Sequence, residues 1–534
     1  MKFKIIYSLV IFAVLLFATA CGEKEDIIPP APPRPEPPGP PYNDLGFEPH
    51  KPGEPFNTYR GLVMTGYQGW FCCPPGAVCP TSTAAPGTCL HSTAENVKWY
   101  HYREHEQFAP GVRRNSIDMW PDMREYAVRY IPGEQLTNIT SGNREFVPFV
   151  LPNGEHATVF SSYDRSTVML HFKWMQEYGI DGAFMQRFIG EVINNRMGED
   201  HFNTVLGHAM AASNQHQRAI CVMYDLSSMD RSTPVMTYFQ RTLDDAKWIM
   251  EQYRLLDRNH QRFYLYERGK PLIAVWGVGF NDNRPYSLDD LDFLISGLKD
   301  LGFSIMLGVP THWRTLDRDA VSDPRFHDII RKSDVILPWF VGRYGMSNFN
   351  NFHQLVIDDL AWCNTNGVEY APLAFAGSSD LGMYPHHNHR NERHGGQFLW
   401  NQVFHHIESG AKMIYLAMFD EIDEGTALFK MLRQNEVPSN RPTQDYFVTR
   451  RGGSYSIGRN QVTNLPNPAP AFPWPANTVI NGDWSISAMD LYNRFGDFHG
   501  IENHLPTDHY LWLSGQARLM LRGEIPLNRT LPVR

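Results

Sequence analysis

Four acidic residues crowd into five positions directly after an apolar run. Within 418–426, the acids are Asp420, Glu421, Asp423 and Glu424. Like charges this close raise one another's pKa, so one carboxyl can stay protonated near neutral pH while its neighbour is ionised. Such a pair can supply a general acid and a second, ionised carboxylate, which is the division of labour that glycosidic-bond hydrolysis requires.

Glu421 and Glu424 are the two acids whose spacing best suits joint action. On a helical turn, residues three apart have Cβ atoms roughly 5–6 Å from each other, so both side chains could face one sugar ring. Acids are also favoured at a helix N-terminus by the helix dipole. The spacing alone therefore leaves a purely structural role open.

Eight short apolar runs alternate with helical patterns along the chain. The runs are 62–71, 182–188, 219–226, 271–280, 303–310, 335–341, 368–376 and 412–419. The helix candidates are 166–178, 243–256, 288–301, 349–365 and 395–407, with a last helix at 508–522 after an N-cap at Thr507. Near-continuous apolar strands joined by helices indicate a parallel sheet that is buried on both faces. Eight such units predict an α/β fold, a (β/α)8 TIM barrel.

Two long segments interrupt this alternation. They span about 72–163, between the first strand and its helix, and about 431–505, after the eighth strand. We interpret residues 57–534 as one catalytic barrel with these two insertions, although the second insertion also suits an appended β-rich module.

Barrel enzymes place their chemistry at the C-terminal ends of the strands, and polar and aromatic residues collect there. A carbohydrate groove needs this mixture, because rings stack on sugar faces while amides, carboxylates and guanidinium groups bind hydroxyls. Some of the tryptophans could instead cap the barrel. The predicted substrate-binding residues are Tyr67, Gln68, Trp70, Trp99, Gln186, Arg187, Asp225, Trp276, Trp313, Trp339, Arg343, Arg393 and Asp420.

The N-terminus reads as an export signal. A basic start, Met1 to Lys4, precedes an apolar stretch of about 15 residues, which is short for a membrane-spanning helix. The run Ala18-Thr19-Ala20-Cys21 resembles a bacterial lipoprotein cleavage box, so residues 1–20 would be removed and Cys21 lipidated; an ordinary secretory signal is the alternative. A proline-rich spacer follows, which makes 21–56 the lipid anchor and linker. The acidic segment 22–26 resembles the export signal of surface lipoproteins in Bacteroidetes-type bacteria. It therefore predicts an outer membrane lipoprotein that faces the cell surface or the periplasm.

Composition excludes several classes of protein. Of 534 residues, 42% are hydrophobic and 20% charged, which excludes a disordered chain. The formal net charge of −9, with no long basic run, argues against nucleic acid as a partner. We predict no cofactor and no metal.

Four cysteines, Cys72, Cys73, Cys79 and Cys89, fall in one loop, which in an oxidising compartment predicts two disulfides with pairing unassigned. A structural zinc site is the alternative. Cys221 and Cys363 lie in predicted core elements and read as buried thiols. The histidine-rich segment 385–394 suits substrate hydrogen bonding, a metal, or an exposed polar loop.

The acidic segment resembles the Glu-x-x-Glu-Gly motif of the family-99 endo-α-mannosidases, to which the family-71 α-1,3-glucanases are related. The stretches 64–71, 118–122, 178–188 and 417–427 are similar to bacterial family 71/99-like glycoside hydrolases, sometimes labelled xylosidases. The likeness covers most of 57–534.

The resemblance implies a retaining glycoside hydrolase acting on α-linked polysaccharide or glycan fragments, mannan-like or glucan-like. Glu421 would be the base that deprotonates the sugar 2-hydroxyl, giving a 1,2-anhydro intermediate, and Glu424 the acid/base. This chain has Ile422-Asp423 where the family-99 motif has Trp-His. Because of that difference, two alternatives to this enzyme stay open. One is a catalytically inactive, glycan-binding surface lipoprotein, and the other is a xylosidase or arabinosidase-type enzyme.

Overall fold

A computed structural model describes residues 46–73, 99–102, 108–137, 144–194, 196–384, 390–443, 446–465 and 482–534. All of these lie in one unit, Pro40–Arg534. The predicted signal peptide, Cys21 and the proline-rich spacer lie outside the described residues, as do Cys79, Cys89 and the histidines of 385–389.

The main sheet is a ring of parallel strands. Its strands are β1 (Val63–Tyr67), β2 (Gly182–Phe188), β3 (Ala219–Asp225), β4 (Lys270–Trp276), β5 (Ser304–Val309), β6 (Val335–Pro338), β7 in two short segments (Glu369–Tyr370 and Leu373–Phe375) and β8 (Ile414–Ala417). Each strand pairs in parallel with the next, and β8 pairs with β1. The first segment of β7 pairs with β6 and the second with β8, so the sheet curls into a barrel across the break in β7. The predicted TIM-barrel fold is confirmed.

Helices cover the outside of the barrel. They are α1 (Arg165–Tyr178), α2 (Ile189–Asn194), α3 (Arg196–His216), α4 (Val235–Gln252), α5 (Leu288–Asp300), α6 (Arg325–Arg331), α7 (Phe349–Asn366), α8 (Gln397–Glu408) and α10 (His509–Leu521). Helix α9 (Ala488–Phe495) packs instead on the sheet of the second insertion. β2, β3 and β5 are buried along their whole length, as expected for strands between a filled barrel and a helical layer.

Two of the helix predictions need correction. Helix α4 begins at Val235, earlier than the apolar pattern from 243 indicated. The N-cap of α10 is Asp508, and the Thr507 hydroxyl instead donates to Asp122 at 2.7 Å, so it ties the helix start to the first insertion.

The two insertions add antiparallel structure. The first contains a hairpin, Gly133–Thr137 with Arg144–Pro148. The second contains a three-stranded sheet, Phe447–Arg451, Ser454–Gly458 and Trp484–Ser487, which leads into α9. This sheet has a small core of its own, in which Val112 of the first insertion packs with Tyr446, Val448 and Trp484. The two insertions therefore share a core.

The cysteine predictions are tested only in part. Cys221 and Cys363 are buried free thiols, as predicted. Cys72 and Cys73 are buried at the end of the first strand region, while Cys79 and Cys89 are not described, so the two disulfides stay a prediction. Within the described part of the chain, no helix has both the length and the apolar character to cross a membrane.

Two helical glycines give a matched test of packing between helices. A Cβ on Gly515 of α10 would lie 1.9 Å from the Tyr178 carbonyl oxygen at the end of α1, whereas a Cβ on Gly207 of α3 meets its nearest atom at 3.6 Å. We expect Gly515→Ala to lower the free energy of unfolding by about 1–3 kcal/mol through overpacking. Gly207→Ala should raise it by about 0.5–1 kcal/mol, because alanine is the better helix former. Urea unfolding of both variants measures the two changes in the free energy of unfolding. Equal changes of the same sign would contradict the close contact between Gly515 and Tyr178.

Candidate active site

A cleft of about 770 Å³ opens at the C-terminal ends of the barrel strands. It brings together nine of the predicted site residues: Gln68, Trp70, Trp99, Gln186, Asp225, Trp276, Trp339, Glu421 and Glu424. They come from the ends of β1, β2, β3 and β4, from the loops after β6 and β8, and from the first insertion. These residues from the strand ends therefore meet in one cleft, and their binding roles stay a prediction.

The segment after β8 that carries Glu421 and Glu424 is a turn, and no helix begins there. This excludes the alternative in which its acids stabilise a helix N-terminus. The Ala427 N–H donates to the Glu421 carbonyl at 3.0 Å, and the Ser379 N–H donates to the Glu424 carbonyl at 2.8 Å. The turn is thus fixed at both of its glutamates by backbone hydrogen bonds.

The first insertion holds the middle of the same turn. The N–H groups of Asp118 and Met119 donate to the Ile422 carbonyl at 2.9 and 3.1 Å. The Asp118 carboxylate accepts from Leu381 N–H and Gly382 N–H at 2.8 and 2.7 Å, and burial raises its pKa to about 7. Ile422 is fully buried, so it is a packing residue between the two glutamates.

Glu421 is buried and has a donor at each of its carboxylate oxygens. The side-chain amide of Gln68 donates to Oε1, and the hydroxyl of Thr426 donates to Oε2. Burial, followed by the charges of Glu424 and Asp423, raises the pKa of Glu421 well above its ordinary value, while the two donors act to lower it.

Glu424 is half-buried and lines the cleft. Burial is the largest cause that raises its pKa, to about 8, and the charges of Asp423, Asp380 and Asp225 add to the effect. Because both glutamates have raised pKa values and act on each other, the pair retains at least one proton at neutral pH.

Asp423 connects the turn to the first insertion. Its carboxylate lies 3.4 Å from Nδ1 of His101, and the His101 ring stacks on Trp70 with centroids 3.7 Å apart and an angle of 7°. Trp70 also stacks on Phe188, at 4.9 Å. These three rings form a continuous aromatic wall beside the carboxylates, and all three line the cleft.

Several buried polar atoms at the cleft lack a hydrogen-bond partner among the described residues. They are Oε1 of Gln68, Oε1 of Gln186, Nε1 of Trp70 and Nε1 of Trp276. Buried polar groups are nearly always paired in folded proteins. Both donors and acceptors are therefore left for a ligand rich in hydroxyl groups.

Tyr67 and Arg187 were wrongly placed in the groove. Tyr67 is fully buried against the helical layer, where its hydroxyl is hydrogen-bonded to His171 of α1 at 2.8 Å. The Arg187 guanidinium also points into that layer and donates to Asp245 of α4 at 2.6 and 3.0 Å. Each is the strand neighbour of a residue that does face the cleft, Gln68 and Gln186.

Trp313 and Arg343 do not line the cleft either. Trp313 is fully buried and its indole N–H donates to Asp359 of α7 at 3.0 Å. Arg343 is 42% exposed and lies 3.4 Å from Asp319. Trp313 is thus a packing residue of the helical layer, and Arg343 is a surface residue.

Asp420 and Arg393 lie behind the cleft and hold its parts in place. Asp420 is fully buried, accepts from Gln68 N–H and Gly69 N–H at 2.8 and 2.9 Å, and has its pKa raised to about 7 by burial. Arg393 is 8% exposed and donates to the carbonyls of Gly425 and Ala427 at 2.8 and 2.7 Å. Neither side chain lines the cleft, so the structure does not place them in the predicted groove.

The cleft also contains residues that the sequence analysis did not identify as site residues. Glu191, Ser227 and Ser228 lie two or three residues past β2 and β3, so a longer window beyond each strand would have found them. Ser116, Met383 and Tyr384 come from loops without a local sequence signal. Among the described residues, no three His, Cys, Asp or Glu side chains converge to hold a metal ion.

Comparisons with known proteins show which solved structures have a similar fold. No protein-family model and no curated protein matches the chain by sequence. A GH99 endo-alpha-mannosidase from Bacteroides thetaiotaomicron, solved with bis-tris propane, has a TM-score of 0.50 and 11% identity over 87% of this chain and 98% of its own. A second structure of a GH99 endo-alpha-mannosidase from that organism has a TM-score of 0.47 and 12% sequence identity, and the match covers 87% of this chain and 98% of its own. A glycoside hydrolase-like protein has a TM-score of 0.36 and 13% sequence identity, and the match covers 54% of this chain and 82% of its own.

At these identities the likeness shows the fold. The barrel is of the type found in glycoside hydrolases. More narrowly, its fold is related to that of the GH99 endo-alpha-mannosidase, as the motif resemblance implied.

Proposed function

We propose that this protein is a retaining glycoside hydrolase that cleaves α-linked polysaccharide or glycan fragments of mannan or glucan type. The observation that carries this proposal is the placement of Glu421 and Glu424 in one aromatic-lined cleft at the barrel mouth. The fold shared with an endo-alpha-mannosidase supports it.

The hydrogen bonds of the pair support a division of roles. Burial and like charges raise the pKa of both carboxyls, but Glu421 has a donor at each of its oxygens, which favours its ionised form. We therefore take Glu421 as the base and Glu424 as the group that carries the proton. Glu421 removes the proton of the sugar 2-hydroxyl as that oxygen attacks the anomeric carbon, and Glu424 protonates the departing glycosidic oxygen. Water then attacks the anomeric carbon, giving its proton to Glu424, while the 2-oxygen regains a proton from Glu421.

This assignment also suits the local geometry. Two side chains three residues apart on one turn cannot easily flank both faces of a sugar ring, whereas direct displacement requires carboxylates on opposite faces. Attack by the sugar's own 2-oxygen removes that requirement. Net retention follows from two inversions at the anomeric carbon.

The pH profile of the reaction should be bell-shaped. Activity needs one proton on the pair, so it falls at low pH, where both carboxyls are protonated, and at high pH, where both are ionised. Because the pKa of Glu424 is raised to about 8, we expect the alkaline limb near pH 8. Asp423→Asn removes a negative charge that raises both pKa values, so the alkaline limb should move to lower pH.

Rates measured across the pH range with wild type and Asp423→Asn test this. Glu199→Gln removes one negative charge from an exposed site on α3 and serves as the control, with an unchanged profile. An alkaline limb that stays in place in Asp423→Asn contradicts the electrostatic role of Asp423.

A substrate panel tests the proposed reaction. The full-length protein is incubated with α-mannans, α-glucans and arabinoxylan, and released reducing ends are compared with those from Glu424→Gln. Release from an α-mannan or α-glucan that the variant lacks supports the proposal. Release from arabinoxylan alone favours a xylosidase or arabinosidase, and binding without release from any polymer favours the glycan-binding lipoprotein, which the Ile422-Asp423 departure keeps as the second candidate.

For the cellular location, we propose an outer membrane lipoprotein anchored through Cys21. The basic start, the short apolar stretch and the Ala-Thr-Ala-Cys sequence support this. Mass spectrometry of the mature N-terminus tests it: a diacylglyceryl group on Cys21 is expected, and an unmodified N-terminus at another residue contradicts it.

A further inference from the structure

One wall of the cleft carries carboxylates that neither accept nor donate a proton in the proposed reaction. Asp225 is the last residue of β3, and Glu191 lies in α2, three residues past the end of β2. The two loops touch, since the Gly190 N–H donates to Oγ of Ser228 at 2.9 Å and a Cβ on Gly190 would lie 2.0 Å from the Ser228 carbonyl. Glu191 and Asp225 therefore stand on a single surface, which we call the β2–β3 wall.

The β2–β3 wall contains buried polar atoms without a hydrogen-bond partner among the described residues. Gln186 is 5% exposed and lines the cleft, and its Oε1 has no partner among the described residues. Glu191 is half-buried; its carboxylate is hydrogen-bonded to the Tyr100 hydroxyl, but its Oε2 has no partner among the described residues. Asp225 is 6% exposed and accepts at Oδ1 from the Ser227 N–H at 2.7 Å. Trp276, the register neighbour of Asp225 on β4, supplies an aromatic surface at the edge of the wall.

The charge of this wall distinguishes between possible ligand groups. A sugar hydroxyl can donate to the acceptors but leaves the negative charge of the wall in place. An ammonium group donates to the acceptors through charge-assisted hydrogen bonds and also neutralises that charge. Arg284 is the cation near Asp225, but it donates to Asp282, and its guanidinium carbon lies 5.5 Å from the Trp276 ring centroid. An ammonium group also binds favourably against an indole ring.

We propose that the β2–β3 wall is a subsite for the free amino group of an amino sugar, so that the substrate glycan contains N-unsubstituted hexosamine. The inference rests on the proposed function, because it takes the cleft as the glycan-binding site. It adds a substrate feature that the two catalytic glutamates do not specify.

Calorimetric titration of the Glu424→Gln protein tests the subsite without turnover. The probes are D-glucosamine and D-mannosamine, each with its N-acetyl form and its neutral parent sugar. Amino sugars should bind about tenfold more tightly than either matched form, the difference expected of one charge-assisted contact. Adding Asp225→Asn or Glu191→Gln should bring that ratio close to one, while adding Glu199→Gln as the matched surface change leaves it intact.

Each result decides the matter. Equal binding of amino and N-acetyl forms, or a preference that survives both wall substitutions, overturns the subsite, as does failure of every amino sugar to bind. If the polysaccharide panel shows hydrolysis of neutral glycans without an amino-sugar preference, only the subsite fails. If the preference holds while no glycan is cleaved, the subsite stands and the proposed hydrolysis fails.

Discussion

Glu424→Gln should lower turnover by about 10²–10⁴-fold on the glycan that the wild-type protein cleaves, because the amide cannot donate a proton to the leaving oxygen. KM should change far less than kcat, since the amide keeps the shape and polarity of the carboxyl. Initial rates of reducing-end release over a range of substrate concentrations separate the two constants. Glu424 is half-buried near the like charges of Asp423, Asp380 and Asp225, which repel its carboxylate. Glu424→Gln removes this repulsion, so the free energy of unfolding should stay the same or increase.

The control for this prediction is again Glu199→Gln on exposed α3, which should retain full activity. Glu421→Gln should lose activity to a similar degree, and the double variant should lose little more than either single one, because the two residues act as a unit. A Glu424→Gln protein with wild-type kcat would overturn the catalytic assignment while leaving the fold unaffected.

The barrel was predictable because its strands carry a signal that survives without structural context. A strand buried on both faces must be apolar throughout, and eight such runs separated by helix-length segments leave few architectures. Helix α3 and the first half of α4 were missed, since their apolar residues are spread among polar ones and tertiary packing decides their extent.

The direction in which each side chain points was the part that the sequence could not specify. Neighbouring residues on a strand face opposite sides of the sheet. Gln186 faces the cleft while Arg187 faces α4, and Gln68 faces the cleft while Tyr67 faces α1. With apolar residues on both faces, no alternation of polarity marks the inner side, so polar residues at strand ends cannot be sorted by pattern alone.

The supports of the turn that carries Glu421 and Glu424 come from positions far apart in the chain. Asp118 in the first insertion and Ser379 after β7 both bind the turn through backbone groups. Backbone contacts of this kind leave no trace in residue type. Arg393 is the exception, because its guanidinium is the donor; its position in the sequence predicted contact with substrate, whereas in the structure it binds the turn.

Arg393 is therefore expected to position the turn that carries Glu421 and Glu424. A single nitrogen, Nη2, donates to the carbonyls of Gly425 and Ala427, which lie one and three residues after Glu424. The guanidinium carbon also lies 4.7 Å from the ring centroid of Tyr510, so α10 supports the arginine from behind. Releasing both carbonyls should let the glutamates shift, and a displacement near 1 Å can cost about 10²-fold in rate.

Arg393→Ala should accordingly lower kcat by about 10²-fold with a smaller change in KM, and added guanidinium ion should restore part of kcat by filling the vacated site. Arg522→Ala is the matched control: Arg522 is equally buried and paired with Asp181 at 2.7 Å, but it also donates to Gly61 just before β1, at the opposite end of the barrel. Both variants should lose stability, since each leaves buried partners unsatisfied. Only Arg393→Ala should lose kcat per folded molecule and regain it with guanidinium. Equal kcat losses in the two variants, or no rescue, would show that Arg393 contributes to folding alone.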